Sequence, residues 1–336
     1  MFRFTPLPIP TARPTMIRIA ATAFVALALL ACGGGSRTAT TAAAPVGQEG
    51  GSWSSRSSMP TERGEVGAAV LDGRIYVVGS FSGGSDVVEA YDLTTDTWQR
   101  RAPLPRGLHH PGAAATGGKL YVVGGYDAGN GAAVDTVYEY DPATDAWREL
   151  PPMPSPRGAL VCVALDGKVY AIGGQAGRGN SQANEVYDPT TNIWSARAPM
   201  PTGRDHLAAA ELNGIIHVIA GRVSGNFGRN LDVHEVYDPR TDTWSARAPI
   251  PTARSGIGAA VLAGRVYVLG GEDNQGTFAQ NEAYDPATDT WATLAPLPTP
   301  RHGLGVLGPG DAVYVVAGGR TPGGSVSGLV EVFSLP

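Results

Sequence analysis

From Trp53 onward, short apolar runs alternate with turns rich in Gly, Pro, Asp, Asn and Thr, and the alternation itself repeats. The clearest copy spans residues 166–189. Asp166-Gly167 turns into an apolar strand from Lys168 to Ile172, and the pair Gly173-Gly174 follows. After a loop, a further strand ends Glu185-Val186-Tyr187-Asp188-Pro189, ahead of Trp194. The glycine pair returns as Gly79-Ser80, Gly124-Gly125, Ala220-Gly221, Gly270-Gly271 and Gly318-Gly319, and tryptophan returns at positions 53, 98, 147, 194, 244 and 291. A period of roughly 45 to 50 residues marks a repeat architecture, in which each copy is one supersecondary unit.

Each unit opens on a Pro-rich segment and a strand of small residues, as in residues 153–164, where Gly and Ala stand in place of Val and Ile. Such a strand fits where strands crowd around an axis. Turns such as Asp72-Gly73, Asp166-Gly167 and Asn213-Gly214 lead into a second strand. That strand, for example Ile75 to Val78, is apolar throughout and therefore covered on both faces. The third strand carries Glu-Val-Tyr-Asp or a close variant, a Pro/Asp/Thr turn follows, and the fourth strand holds the tryptophan. Four antiparallel strands per unit make a propeller blade.

The Gly-Gly, Tyr-Asp-Pro and Thr-Trp pattern resembles the Kelch family over residues 51–336. The resemblance implies an all-β, six-bladed β-propeller; Gly79-Ser80, Ala220-Gly221 and Phe333-Ser334 depart from it locally. The order of the signals predicts how the ring closes. Trp53 precedes the first glycine pair, whereas the last unit stops at its third strand, Val330 to Phe333. Ser52 to Arg56 should therefore complete the sixth blade and remove the edge that an open ring would expose.

Residues 1–31 carry Arg3, Arg13 and Arg18 with no acid, ahead of an apolar run at residues 19–31. The run is short for a bilayer span and fits a signal peptide, with Met16 as an alternative start. Its end, Leu29-Leu30-Ala31-Cys32-Gly33, resembles a bacterial lipoprotein signal, which implies lipidation at Cys32, an exported protein and a membrane anchor; an ordinary secretory peptide is the competing reading. Residues 32–50 are Gly/Ser/Thr/Ala-rich and read as a flexible tether. Without residues 1–31 the chain has 22 basic against 30 acidic residues, which argues against nucleic acid and against electrostatic membrane binding. With Cys32 lipidated, Cys162 is left without a disulfide partner and reads as a small buried hydrophobe. A monomer is expected.

Strand alternation places the start of each first strand and the loop between strands two and three on one face. These loops, beginning at Phe81, Tyr126, Gln175, Arg222, Glu272 and Arg320, vary in sequence and form the expected binding surface. Alignment on the glycine pairs brings Arg63, Arg157, Arg204, Arg254 and Arg301 to one position at the mouth of the channel, with Leu108 in the second blade and Arg106 two residues before it. His109 and His302 share the next position, and Glu65, His110 and His206 the one after. A guanidinium fork suits carboxylate, sulfate or phosphate, so these arginines and histidines are expected to grip an anionic ligand. The competing reading ties each arginine to a carboxylate or carbonyl of its own repeat. In Kelch adaptors of ubiquitin ligases, as the resemblance implies, arginines at the matching position help hold acidic peptide motifs. His110, His206 and His302 come from alternate blades and would suit zinc or copper, but as rim residues they are expected to lie too far apart to share an ion. No metal or cofactor is expected. The glutamates and tryptophans recurring in every unit read as structural.

These features predict a tethered scaffold that holds a protein segment or a glycan at the channel mouth. The resemblance also implies enzymes, since some Kelch-type propellers are copper oxidases of sugars and others epimerise sialic acid in the bacterial periplasm. Cys162 has no evident tyrosine partner for oxidase chemistry. For a mutarotase or epimerase, Arg204 would hold a carboxylate while Asp205 and His206 supply the acid/base group. A structural role in an envelope assembly finds neither support nor objection in the sequence.

Overall fold

Asp-Gly and Asn-Gly turns close their hairpins where expected, and six four-stranded antiparallel sheets result. The computed structural model describes residues 50–177 and 179–336. The signal segment, Cys32 and all but the last residue of the tether lie outside the described residues. In blade three the innermost strand, Val161–Leu165, pairs with Lys168–Ile172, which pairs with Asn184–Asp188, and Ile193–Ala196 lies outermost. The other blades repeat this order. No described residue is helical.

Small residues form the innermost strands because these strands face one another: Gly112–Thr116 lies against Gly67–Leu71 on one side and Val161–Leu165 on the other. A Cβ on Gly112 would meet the Cys162 thiol of the neighbouring blade, so the hub has no room for larger side chains there. Second strands such as Arg74–Val78 are buried along their apolar positions, between the blades on either side. Six apolar clusters fill the gaps between blades.

The tryptophans fasten each blade to the one before it. Trp147 Nε1 donates to the carbonyl of Ala102, Trp194 to Pro151, Trp244 to Ala198 and Trp291 to Ala248, at 2.8–3.0 Å. Closure follows the same rule. Ser52–Ser55 pairs antiparallel with Val330–Ser334, placing Trp53 opposite Phe333, and Trp53 Nε1 donates to Ala295 of blade five at 2.9 Å. The ring is a six-bladed propeller whose first described strand completes its last blade.

Candidate functional site

At the mouth of the channel, the residue two places after the recurring arginine position has positive φ in every blade: Glu65, His110, Ala159, His206, Gly256 and Gly303, at 51–67°. Each donates its backbone N–H to the carbonyl of its counterpart in the preceding blade, and Glu65 donates to Gly303. Six hydrogen bonds of 2.8–3.0 Å thus form a closed ring around the axis. A left-handed conformation is costly for Glu, His and Ala, and the ring is what holds it. It fixes Glu65, His110 and His206 at one level of the mouth, above a narrow channel of about 150 Å³.

Outside the ring a cavity of about 480 Å³ opens toward solvent. In blades one to five a wall comes from the residue that follows the glycine pair, because this residue meets the segment leading into the ring. Tyr126 lies opposite His109, Asp205 opposite Arg222, and Ser255 opposite Glu272. Gly221 makes the close approach possible: its φ is 105°, and a Cβ there would lie 2.7 Å from the Asp205 carbonyl oxygen.

The polar groups form two linked networks. His206 Nδ1 lies 2.6 Å from Asp205 Oδ1, and that buried carboxylate also accepts from Asn180 and from the Gly225 N–H. His206 therefore donates from Nδ1, which leaves Nε2 as its second ring nitrogen. That atom is buried and has no hydrogen-bond partner. Arg222 donates to Glu272 Oε1 at 2.7 Å, has Nε 3.4 Å from Asp205 and covers the Phe227 ring at 4.3 Å. In the second network His302, fully buried, places Nδ1 3.0 Å from Glu65 and 3.2 Å from Glu272, with Nε2 3.1 Å from the Thr321 carbonyl. Burial alone would lower its pKa, but the hydrogen bond and charge of Glu65, with Glu272, outweigh burial and leave it raised. Both nitrogens then donate. Burial likewise acts to raise Glu65, yet the imidazoles of His110 and His302 hold it well below the carboxylate range. His110 is pushed down to about 3 by burial, against the pull of Glu65, and as a neutral imidazole gives its Nε2 proton to Glu65 at 3.1 Å. Its Nδ1 meets His109 Nδ1 at 2.6 Å, and the His109 ring stacks on Tyr126.

Three overlapping stretches, residues 48–174, 101–249 and 161–335, match the KLHDC2/KLHL20/DRC7 Kelch-repeats domain. The chain belongs to the Kelch-repeat family. Among solved structures, that of YjhT superposes on this Kelch propeller with a TM-score of 0.72, covering 81% of this chain and 95% of the other at 17% identity. This likeness is one of fold. No curated protein matches the sequence.

The Kelch propeller places the expected site residues in three groups. His109, His110 and His206 line the cavity, with Asp205 and His302 directly behind it. Arg106 sits on the rim, its Nε 3.0 Å from Asp127. The five repeated arginines correct the expectation of an anion-gripping rim. Arg63, Arg157, Arg204, Arg254 and Arg301 are fully buried inside their blades, paired with Glu89, Glu185, Glu235, Glu282 and Glu331. Most of their remaining donors reach carbonyls, as Arg204 Nη2 reaches Val218 at 2.9 Å, while Nε of Arg63 and of Arg157 is buried without a partner. Burial lowers the Arg63 pKa to about 10 against the opposing charge of Glu89, so the guanidinium stays protonated at neutral pH. A second correction concerns the histidines. His110 and His206 are not separated around a wide rim; their ring centroids lie 4.9 Å apart.

Sequence reasoning placed Arg222, Glu272, Tyr126 and Phe227 only within the variable loops and named none of them as a site residue. The first three share one signal, the register position immediately after the glycine pair, where blades one to five all differ.

Proposed function

We propose that this Kelch propeller is an exported, lipid-tethered binding protein that takes a neutral, hydroxyl-rich ligand, a glycan unit, into the cavity at its mouth. The lining carries this reading: the rings of Phe81, Tyr126 and Phe227 stand around a floor of carboxylates and imidazoles in a space of about 480 Å³. Sugar faces stack on aromatic rings while hydroxyls exchange hydrogen bonds with carboxylate and imidazole, and the volume lies within the small-molecule range of about 300–1,000 Å³. An anion meets a poorer welcome. Glu65, Asp205 and Glu272 outnumber Arg222 and protonated His302, and Arg222 is already engaged by carboxylates. Export and attachment at Cys32 rest on residues 1–33 alone.

The Asp205–His206 pair favours a second reading, a mutarotase or epimerase acting on a neutral sugar. His206 Nε2 would take the anomeric hydroxyl proton and return it to the ring oxygen as the ring C–O bond breaks, giving the open-chain carbonyl; reclosure on the other face reverses the transfers.

A panel of neutral saccharides and sialic acid, tested by calorimetry and thermal shift, decides between ligands. A neutral saccharide at a hundred times its Kd should stabilise the protein by about 2.7 kcal/mol, and Tyr126→Ala should weaken its binding tenfold or more. Stabilisation by sialic acid alone, or by no saccharide, would refute the proposal. NMR of the anomeric protons in the same samples reports whether interconversion is accelerated.

A further inference from the structure

We propose that Glu65, His110 and His206 bind a divalent transition-metal ion of the zinc class at the hub of the propeller. Their ligating atoms all lie within 4.8 Å of one another. Glu65 Oε2 and His110 Nε2, hydrogen-bonded at 3.1 Å without an ion, already stand close to the roughly 3.3 Å that two ligands at about 2.0 Å from a tetrahedral zinc subtend, so an ion replaces the shared proton with little movement. The ring of backbone hydrogen bonds presents all three side chains from one level, one each from blades one, two and four.

An independent observation is the orphaned nitrogen of His206. Its side chain is 93% buried, Nδ1 is committed to Asp205, and Nε2 has no partner among protein atoms. A buried polar atom left without a partner is costly, and a cation supplies the missing contact. The surroundings fit as well. Metal-bound histidines usually give their other ring N–H to a carboxylate, as His206 does to Asp205. The His109–His110 contact joins two Nδ1 atoms, so the proton between them can sit on His110 and free its Nε2 for the ion. His302 holds the second oxygen of Glu65 in place.

Glu65, Glu272 and His302 also lie within ligand distance of one another. There, however, both nitrogens of His302 are spent on carboxylates and a carbonyl, so this group supports the first rather than competing with it. The three-ligand set faces the 480 Å³ cavity, which leaves a coordination position open to a ligand, as in catalytic rather than structural zinc sites. Occupation by metal and action of His206 Nε2 as a free base exclude each other.

The test is calorimetry of the chelator-stripped, purified chain with zinc, together with the visible spectrum of the cobalt-substituted protein. One equivalent should bind with a micromolar or lower Kd, and cobalt should give the intense bands of tetrahedral coordination. His206→Ala and His110→Ala should each weaken binding at least a hundredfold with an unchanged circular dichroism spectrum. Asp205→Asn, which leaves the ligands intact, should weaken it about 10–100-fold. Zinc binding that survives His206→Ala and His110→Ala, or no binding at one hundred micromolar, overturns the proposal. Saccharide titration of the stripped protein keeps this outcome separate from that of the glycan reading.

Discussion

At the scale of the residue, the same arginine decides stability rather than recognition. Arg254 Nη2 donates to the Val268 carbonyl at 3.0 Å, Nε to Gly270 at 2.9 Å, and Nη1 meets the Glu282 carboxylate, all without contact with solvent. Removing one partner of such a pair strands the other charge in a low-dielectric interior, at a cost of about 3–5 kcal/mol. Arg254→Ala should lower the denaturation midpoint accordingly. Arg106→Ala, at a rim pair exposed to water, should change stability by no more than about 1 kcal/mol. Equal losses in urea titrations would contradict the burial argument. Blade two supports it: Leu108 replaces the arginine and is fully buried, while Glu139 turns to Arg148, whose side chain is 69% exposed. The pairing of arginine with glutamate stood in the sequence as the competing reading, since the glutamate recurs in every unit. The direction in which the arginine points was not legible. The same residue spacing serves a side chain turned into the channel or one folded back under its own third strand, and only burial tells them apart.

At the scale of the element, strands and turns were legible because hairpin chemistry is local: Asp-Gly and Asn-Gly fix the turn, and the small-residue strand fixes the inner position. Closure was legible too, from the order of tryptophan and glycine pairs alone. The ring at the mouth was legible only in part. Gly256 and Gly303 signal positive φ there, but Glu65, His110, Ala159 and His206 adopt it against their own preference because a neighbouring carbonyl compels them. Such a constraint arises between blades and leaves no mark within one. The closing strand allows a direct test. Ser52–Ser55 covers Val330–Ser334, Trp53 packs against Phe333 at 5.3 Å, and Arg56 N–H donates to Val330 at 3.0 Å. A chain beginning at Ser57 would expose that third strand as an apolar edge, and edges recruit other chains. It should melt at a lower temperature and self-associate in light scattering, whereas a monodisperse product with unchanged melting would show that the strand is dispensable.

At the scale of the whole molecule, the blades share one plan, and individual departures carry individual properties. Blade four departs most. Besides Asp205, His206 and Arg222, it has His217 where blades one, two, three, five and six have tyrosine, and His234 where blades three and five have Asn184 and Asn281. His234 Nδ1 faces the Ala248 carbonyl at 3.3 Å, as the amide of Asn281 faces Ala295 at 3.1 Å. His217 and His234 lie 3.0 Å apart between buried neighbours, and burial lowers them to about 4 and about 3; Arg247 adds to both shifts and Asp289 opposes that of His234. In the unfolded chain each would titrate near 6.5. The folded values are depressed, so the unfolded state binds more protons between about pH 6.5 and the folded values. The stability they contribute is whole above 6.5 and is lost as pH falls toward 3–4. Carboxylates with depressed values, such as Asp188 at about 2, act lower on the scale because ordinary carboxylates titrate near 4. Between pH 7 and 4.5 the histidine pair should therefore remove roughly 5 kcal/mol of unfolding free energy. Introducing the residues that other blades use, His217→Tyr with His234→Asn, keeps the shape of the blade and the hydrogen bond to Ala248 while eliminating both titrations. Urea unfolding across that window should show a flatter pH dependence in the double variant, with the two proteins diverging below pH 6.5. Parallel curves would mean that the pair is already protonated in the fold, which a solvent-free contact between two ring nitrogens does not permit.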